Sequence, residues 1–245
     1  MLSFIVPAHN EEFELPATLA AIHAAGQDRQ YEIIVVDDAS TDATPRIAKD
    51  TGAKVVSINR RQIAAARNAG AQAALGDVLF FVDADTRINA KHVTNAIAAL
   101  DSGCSGGSAR ITTDGFIPWW GRISLKVFCA LYFANNLGAG AFLFTSRKNY
   151  ESVGGLDERY FAGEEVFFSQ ALKKLGRFKI LSEPMITSGR KLRMHSGWHI
   201  WWRSTHMMLG GLRSYRSRDR LDLWYDGKRE TSPPVGRTRP AARST

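Results

Sequence analysis

Phe80-Phe81-Val82-Asp83-Ala84-Asp85 is an apolar run that stops abruptly at two carboxylates one residue apart. Such a run reads as a buried strand carrying charge to the carboxyl end of a sheet, the edge at which open α/β sheets bind ligands. Two carboxylates at that place call for positive charge between them. A divalent cation supplies it, and a cation beside a strand end points to a phosphate-bearing ligand.

Working outward, the first hundred residues alternate in type. Phe4–Pro7, Glu32–Asp37, Lys54–Asn59 and Val78–Asp83 are β-branched or aromatic runs bounded by polar residues or glycine. Helical patterns lie between them at Leu15–Ala25, Ala43–Thr51 and Ile63–Leu75, and a further one follows at Ala90–Leu100. Thr41 or Asp42 suits the N-cap of the second, and Gly52 and Gly76 stand where C-terminal glycines belong. This alternation predicts βαβ units and a mostly parallel central sheet flanked by helices. The second half is less regular. Strands are expected at Ser105–Thr112, Ala141–Thr145 and Met185–Ser188, and helices at Trp119–Asn135 and Glu164–Leu175. From about Gly227 the chain turns rich in Pro, Ser, Thr and Arg, and the expectation is a disordered tail over 227–245. Residues 1–226 are expected to form one domain, with a ligand-binding half over 1–101 and a second half over 102–226.

Composition narrows the classes. A chain of 245 residues with 44% hydrophobic content fits a soluble α/β domain. The longest apolar stretch, Ile117–Ala141, is broken by Arg122, Lys126, Asn135 and Asn136, short of the roughly 18 residues a membrane span needs. Met1–Pro7 reads as a first strand and not a signal peptide. Cys104 and Cys129 have no metal-ligand spacing and build no disulfide framework, which fits a cytoplasmic setting. The net charge of +8 is uneven, with Arg190, Lys191, Arg193, Arg203, Arg213, Arg216, Arg218 and Arg220 against Asp219 alone. That patch suits an anionic partner or a solvated face.

Three acidic clusters would meet at the sheet's carboxyl edge: Glu11-Glu12 after strand one, Asp37-Asp38 after strand two, and Asp83 with Asp85 after strand four. Like charges in proximity repel, and a nucleotide resolves the conflict. A carboxylate after strand two can accept hydrogen bonds from a base or ribose. Asp83 and Asp85 can hold a metal bridging a diphosphate, and Arg67 can neutralise remaining phosphate charge. One of Asp37 and Asp38 is expected to open a turn and cap the next helix.

Ile5-Val6-Pro7-Ala8-His9-Asn10-Glu11-Glu12, Val35-Val36-Asp37-Asp38-Ala39-Ser40-Thr41-Asp42, Ala66-Arg67-Asn68-Ala69-Gly70 and Phe81-Val82-Asp83-Ala84-Asp85 together resemble the successive motifs of family 2 glycosyltransferases. Gly138–Phe144 and Val153–Glu158 are similar to that family's acceptor-side segment, and Gly163-Glu164-Glu165-Val166-Phe167-Phe168 to its Glu-Asp motif. The resemblance covers roughly residues 1–190. It implies a GT-A fold, a nucleotide-sugar donor such as a UDP- or GDP-sugar, Mg2+ or Mn2+, and transfer with inversion to a hydroxyl acceptor on a saccharide, a lipid-linked molecule or a small molecule. Carried over, Asp38 binds the nucleobase in a pocket lined by Pro7, Ala8 and Glu11, and Arg67 sits near base or phosphates. Asp83 contacts ribose or metal, and Asp85 is the direct metal ligand. Glu165 is the general base, where Asp is usual, with Glu164 the alternative.

His195 and His199 lie four apart but lack the glutamate of a zinc-protease motif. The resemblance makes His195 a candidate third metal ligand. Trp198, Trp201 and Trp202, interleaved with Arg203 and Arg213, suit helix packing, a homodimer contact or peripheral attachment at the inner face of a membrane. Trp119-Trp120 suits the acceptor side. No nucleic acid is expected as a partner. The competing reading is a non-catalytic nucleotide-sugar-binding protein with a basic surface for membranes or polyanions.

Overall fold

The computed structural model describes residues 1–115 and 118–194. The first half alternates: β1 (Leu2–Ala8), α1 (Leu15–Gly26), β2 (Tyr31–Asp38), α2 (Thr44–Asp50), β3 (Lys54–Ile58), α3 (Ile63–Ala73) and β4 (Val78–Val82). After the short β5 (Thr86–Arg87) come α4 (Ala90–Asp101), β6 (Cys104–Thr113), α5 (Trp119–Ala134), β7 (Phe142–Ser146), α6 (Arg147–Ser152), α7 (Glu164–Leu175), β8 (Arg177–Thr187) and α8 (Arg190–Met194).

The strands of the described residues join one sheet in the order β3-β2-β1-β4-β7-β6-β8-β5. β3, β2, β1 and β4 run parallel, β7 lies antiparallel to both β4 and β6, and β6 pairs parallel with β8. The order reverses at β1: the chain steps outward to β2 and β3, then returns to place β4 on the other flank of β1. That reversal opens a crevice beyond the carboxyl ends of β1 and β4. The ladder shows where it begins, because β1–β4 pairing stops at Ile5↔Phe81 while β1–β2 pairing continues to Ala8↔Asp37.

The two-residue period of the strands builds a core on each face. Phe4, Val6, Phe80, Val82, Phe142 and Phe144 pack with Leu15 and Leu19 of α1 on one side. Ile5, Phe81, Leu143, Ala66 and Phe168 pack on the other. Burial on both faces explains why β1 reads as a continuous apolar run. α3 can sit close to the sheet because Gly70 has no side chain: a Cβ there would lie 2.3 Å from Ile5 Cγ2 and 2.9 Å from Val36 Cγ2.

Several local expectations are corrected. α2 begins after Ala43, which makes no side-chain cap, although Asp42 Oδ1 accepts from Thr44 N at 2.9 Å. Gly52 ends α2 with φ +80, as a C-terminal glycine does, but Gly76 serves another purpose. A Cβ on Gly76 would come 2.6 Å from Ser3 Oγ and 2.7 Å from Met1 O, so it permits close passage beside β1. The strand expected at Met185–Ser188 is the end of the much longer β8, whose register against β6 shifts between Ala109 and Arg110, opposite Leu181 and Pro184. β5 and α6 were not anticipated. Ser146 caps α6 by accepting from Asn149 N at 3.1 Å. Among the described residues no helix is long and apolar enough to cross a membrane. The expected tail over 227–245 and the Trp198–Trp202 segment lie outside the described residues.

Candidate active site

β4 ends in a tight turn, with Thr86 N donating to Asp83 O at 2.9 Å, so Asp83 and Asp85 leave the sheet on one short loop. α1 holds that loop from below through Thr18 Oγ1, which donates to Ala84 O at 2.8 Å. Thr187 Oγ1 and Ser188 N, from the end of β8, donate to Asp85 Oδ1 at 3.4 Å and to its carbonyl oxygen at 3.2 Å.

The neighbouring aspartates divide their work. Asp37 Oδ1 accepts from Ser40 N at 3.2 Å and closes the turn after β2. The Asp38 carboxylate accepts from the backbone N–H groups of Arg60, Arg61 and Gln62 at 2.7, 2.8 and 2.7 Å. It thereby wraps the entry to α3 around itself, with Arg61 held at φ 49. The buried Asp38 carboxylate, expected beside a nucleobase, thus accepts three main-chain hydrogen bonds. Pro7 and Ala8 are buried in the last turn of β1's ladder, and Glu11 follows them into the crevice.

Glu11 faces an arginine that sequence reasoning had placed only in a general basic patch. Arg190 Nη1 and Nη2 donate to the two Glu11 carboxylate oxygens at 2.6 and 2.7 Å, a fork-to-fork pair. Its Nη2 also lies 3.2 Å from Asp85 Oδ2. On either side of Arg190, Asp114 Oδ1 accepts from the main-chain Gly189 N at 3.0 Å and lies 3.4 Å from the side-chain Nη1 of Arg193. Arg87 also pairs with Asp114. Arg190 and Arg193 are therefore largely buried in ion pairs and do not form a solvated face. Glu14 beside them has its carboxyl pushed above the ordinary range by burial, with Asp114 and Asp85 adding to the effect.

Arg67 sits at the centre. Its side chain is 1% exposed, and Nη1 donates to Glu164 Oε1 at 2.7 Å. Nη2 donates to Asp83 Oδ1 and to Gly140 O, both at 2.8 Å. One guanidinium thus ties the end of β4 to the start of α7. Burial opposes its charge, but Asp83 and Glu164 hold it protonated more firmly than in water. The residues beside Arg67 serve the same geometry. Asn68 Nδ2 donates to Leu156 O at 2.8 Å, and its Oδ1 accepts from Leu156 N at 3.0 Å. Gln62 Nε2 donates to Glu158 O at 2.5 Å. These bonds strap the loop before α7 to α3 and so fix where Glu164 and Glu165 emerge.

α7 starts from Gly163 at φ 73, a left-handed conformation that favours glycine. Glu164 and Glu165 occupy its first turn, where the helix dipole favours negative charge. Burial is the largest influence on both and pushes their carboxyls up, while Arg67 pulls them down. With Asp83 also present, one guanidinium faces three carboxylates, so the glutamate pair retains a proton to higher pH than a free carboxyl does. Tyr132 Oη from α5 lies 3.4 Å from Glu165 Oε1 and 3.0 Å from Gly138 O. A Cβ on Gly140 would fall 3.5 Å from Glu165 Cγ and 3.3 Å from Arg67 Nη2, so glycine leaves room for both side chains.

Among the described residues no three His, Cys, Asp or Glu side chains gather closely enough to hold a metal by themselves. Asp83 and Asp85 offer hard carboxylate oxygens, the donor type for Mg2+ or Mn2+, and such ions commonly use one or two carboxylates plus substrate phosphates. The guanidinium bridging Glu11 and Asp85 shows that this corner draws a cation. The donor set fits a divalent ion that shares its shell with a diphosphate. His195 lies outside the described residues.

The model of glycosyl transferase family 2 matches residues 3–152. An uncharacterized glycosyltransferase of Mycobacterium tuberculosis is 35% identical over 128 residues, which is 51% of this chain and 56% of that protein. The chain thus spans about half the length of the curated relatives it matches. In fold, it is similar to glucosyl-3-phosphoglycerate synthase from Mycobacterium tuberculosis in complex with Mn2+, UDP and glucosyl-3-phosphoglycerate. The TM-score is 0.62 at 19% identity, covering 88% of this chain and 80% of that one. It is also similar to a mannosyltransferase from Pyrobaculum calidifontis in complex with GDP-Man and Mn2+, with TM-score 0.62 at 19% identity over 85% of this chain and 61% of that one. These neighbours share the GT-A architecture of the sheet described above.

Proposed function

The chain belongs to glycosyl transferase family 2, and from that premise we propose that it moves a sugar from a UDP- or GDP-sugar to a hydroxyl acceptor with inversion. The observation that carries this reading is the buried Arg67, which joins Asp83 at the donor edge to Glu164 at the head of α7. It links Asp83, which with Asp85 would face a diphosphate, to Glu164, which neighbours Glu165.

Asp85 and Asp83 are the residues that would hold Mg2+ or Mn2+. Bound there, the ion supplies positive charge against the diphosphate as it departs. A nucleoside diphosphate is a good leaving group, so no general acid is required, unlike a hydrolase that protonates its leaving oxygen. The acceptor hydroxyl oxygen attacks the anomeric carbon from the face opposite the diphosphate. The new carbon–oxygen bond forms as the bond to the diphosphate breaks, and the hydroxyl proton passes to a base. Glu165 is that base. Glu164 is 4% exposed and spends an oxygen on Arg67, whereas Glu165 is less buried and borders Gly140. Burial raises its carboxyl above the ordinary range and so makes it a stronger base than a free carboxylate. Glu11 lines the donor pocket through its hold on Arg190, and Asp38 shapes the pocket wall through residues 60–62.

The test is thermal unfolding of the full chain with UDP, GDP and their sugars, each with and without Mn2+. A true donor present at 100 times its Kd stabilises by about 2.7 kcal/mol. The reading expects one nucleotide class to raise Tm, and a further increase with Mn2+. No shift with any of them at millimolar concentration would overturn it.

A further inference from the structure

Arg190 presents a conflict that the donor site must resolve. Its guanidinium donates to both Glu11 oxygens at 2.6 and 2.7 Å and stands 3.2 Å from Asp85 Oδ2. Asp85 is also the residue through which a divalent cation would bind, so guanidinium and cation compete for one carboxylate. The competition is strong because both partners are largely buried, with side chains 12% and 16% exposed. Asp114 accepts from Gly189 N just before Arg190 and from the Arg193 side chain just after it, which favours an exchange made by the Arg190 side chain.

We propose that Arg190 is a phosphate-binding residue of the donor site that yields Asp85 to the metal and takes the donor's diphosphate in exchange. The inference rests on the donor-site reading above. Its physical content is a charge argument. Metal and guanidinium placed side by side on Asp85 and Glu11 repel each other, and a diphosphate between them turns that repulsion into two attractions. Glu11 keeps its grip on one edge of the planar fork, which holds the remaining N–H groups toward the crevice. Metal alone therefore binds poorly, nucleotide alone binds modestly, and the two bind together. By linkage, each raises the affinity for the other by the same factor.

The experiment measures Mn2+ binding by electron paramagnetic resonance of the free ion, with and without UDP or GDP. It uses the full chain, R190Q and R190K. Without nucleotide, R190Q is expected to bind Mn2+ at least tenfold more tightly than the parent chain, because the competing charge is gone. R190K, which cannot span both carboxylates as a fork, is expected to fall between them. With nucleotide present, the enhancement of Mn2+ affinity is expected to shrink at least tenfold in R190Q. Equal or weaker Mn2+ binding by R190Q would show that Arg190 only braces the fold, and would overturn the proposal. If R190Q does not fold, R190K binding Mn2+ no more tightly than the parent chain overturns it equally. Failure of the donor reading looks different: the parent chain would then bind neither nucleotide, while the Mn2+ titrations without nucleotide still judge Arg190.

Discussion

Replacing Arg67 by Met tests whether one buried guanidinium holds the two halves of the site together. The side chain is 1% exposed and spans Asp83, Glu164 and Gly140 O. Its two acidic partners differ in what they lose. Asp83 is 26% exposed and can turn to water, whereas Glu164 at 4% stays buried, uncompensated when ionised and neutral only once it takes up a proton. Breaking a buried pair from one side typically costs about 3–5 kcal/mol. R67M should therefore lower the urea midpoint by about 1–2.5 M for an m-value of about 2–3 kcal/mol/M. The double variant R67M/E164Q removes the stranded charge as well, and should recover about 2–3 kcal/mol relative to additivity. The sign of the pH effect follows. In R67M the lone Glu164 has a folded pKa raised above its unfolded value, so its contribution is favourable at low pH and is lost as pH rises through the folded value. The deficit of R67M should accordingly be smaller at pH 5 than at pH 8. Urea titrations followed by tryptophan fluorescence would measure all of this. A cost below about 1 kcal/mol, or a strictly additive cycle, would refute the reasoning.

Two further predictions concern the chemistry. D85N should lose roughly 10²-fold in metal-stimulated turnover, since a neutral amide no longer anchors the cation; turnover that still responds fully to Mn2+ would remove Asp85 from the metal site. The acid limb of the kcat–pH profile should lie above the ordinary carboxylate range, because burial raises both Glu164 and Glu165 and the base must be ionised to act. E164Q leaves Arg67 facing one glutamate and not two, so that limb should move to lower pH, and an unmoved limb would separate Glu165 from the titration. The same raised values mean that the pair favours the fold at low pH and loses that contribution as pH climbs from the unfolded value near 4.5 through the folded ones.

The donor half was legible because its signals are local. The run through Phe80–Val82 is apolar on both faces, and the carboxylates at the ends of β2 and β4, with Glu11 and Glu12 shortly after β1, stand where periodicity alone locates strand ends. Most acceptor-half elements were legible too: the expected strands at Ser105–Thr112 and Ala141–Thr145 and helices at Trp119–Asn135 and Glu164–Leu175 match β6, β7, α5 and α7 to within two residues. β8 is interrupted by Pro184 at a register shift, which left only its end recognisable. Side-chain partnerships across long separations were beyond pattern reading. Nothing local reveals that the N–H groups of residues 60–62 fold back onto the Asp38 carboxylate. Arg190 looked like one of several basic residues. The signal that could have found it was the Thr187-Ser188-Gly189 stretch, whose small residues let the chain run close beside Asp85 and Asp114.

The central claim is that the donor is held by one carboxylate pair and the acceptor proton is taken by another. Its most direct test compares the full chain with E165Q for acceptor-dependent release of nucleoside diphosphate, with donor affinity measured in parallel by calorimetry. The account predicts a fall in turnover of roughly 10²–10⁴-fold with donor affinity within about twofold of the parent chain. Unchanged turnover, or a collapse of donor affinity in its place, would contradict it.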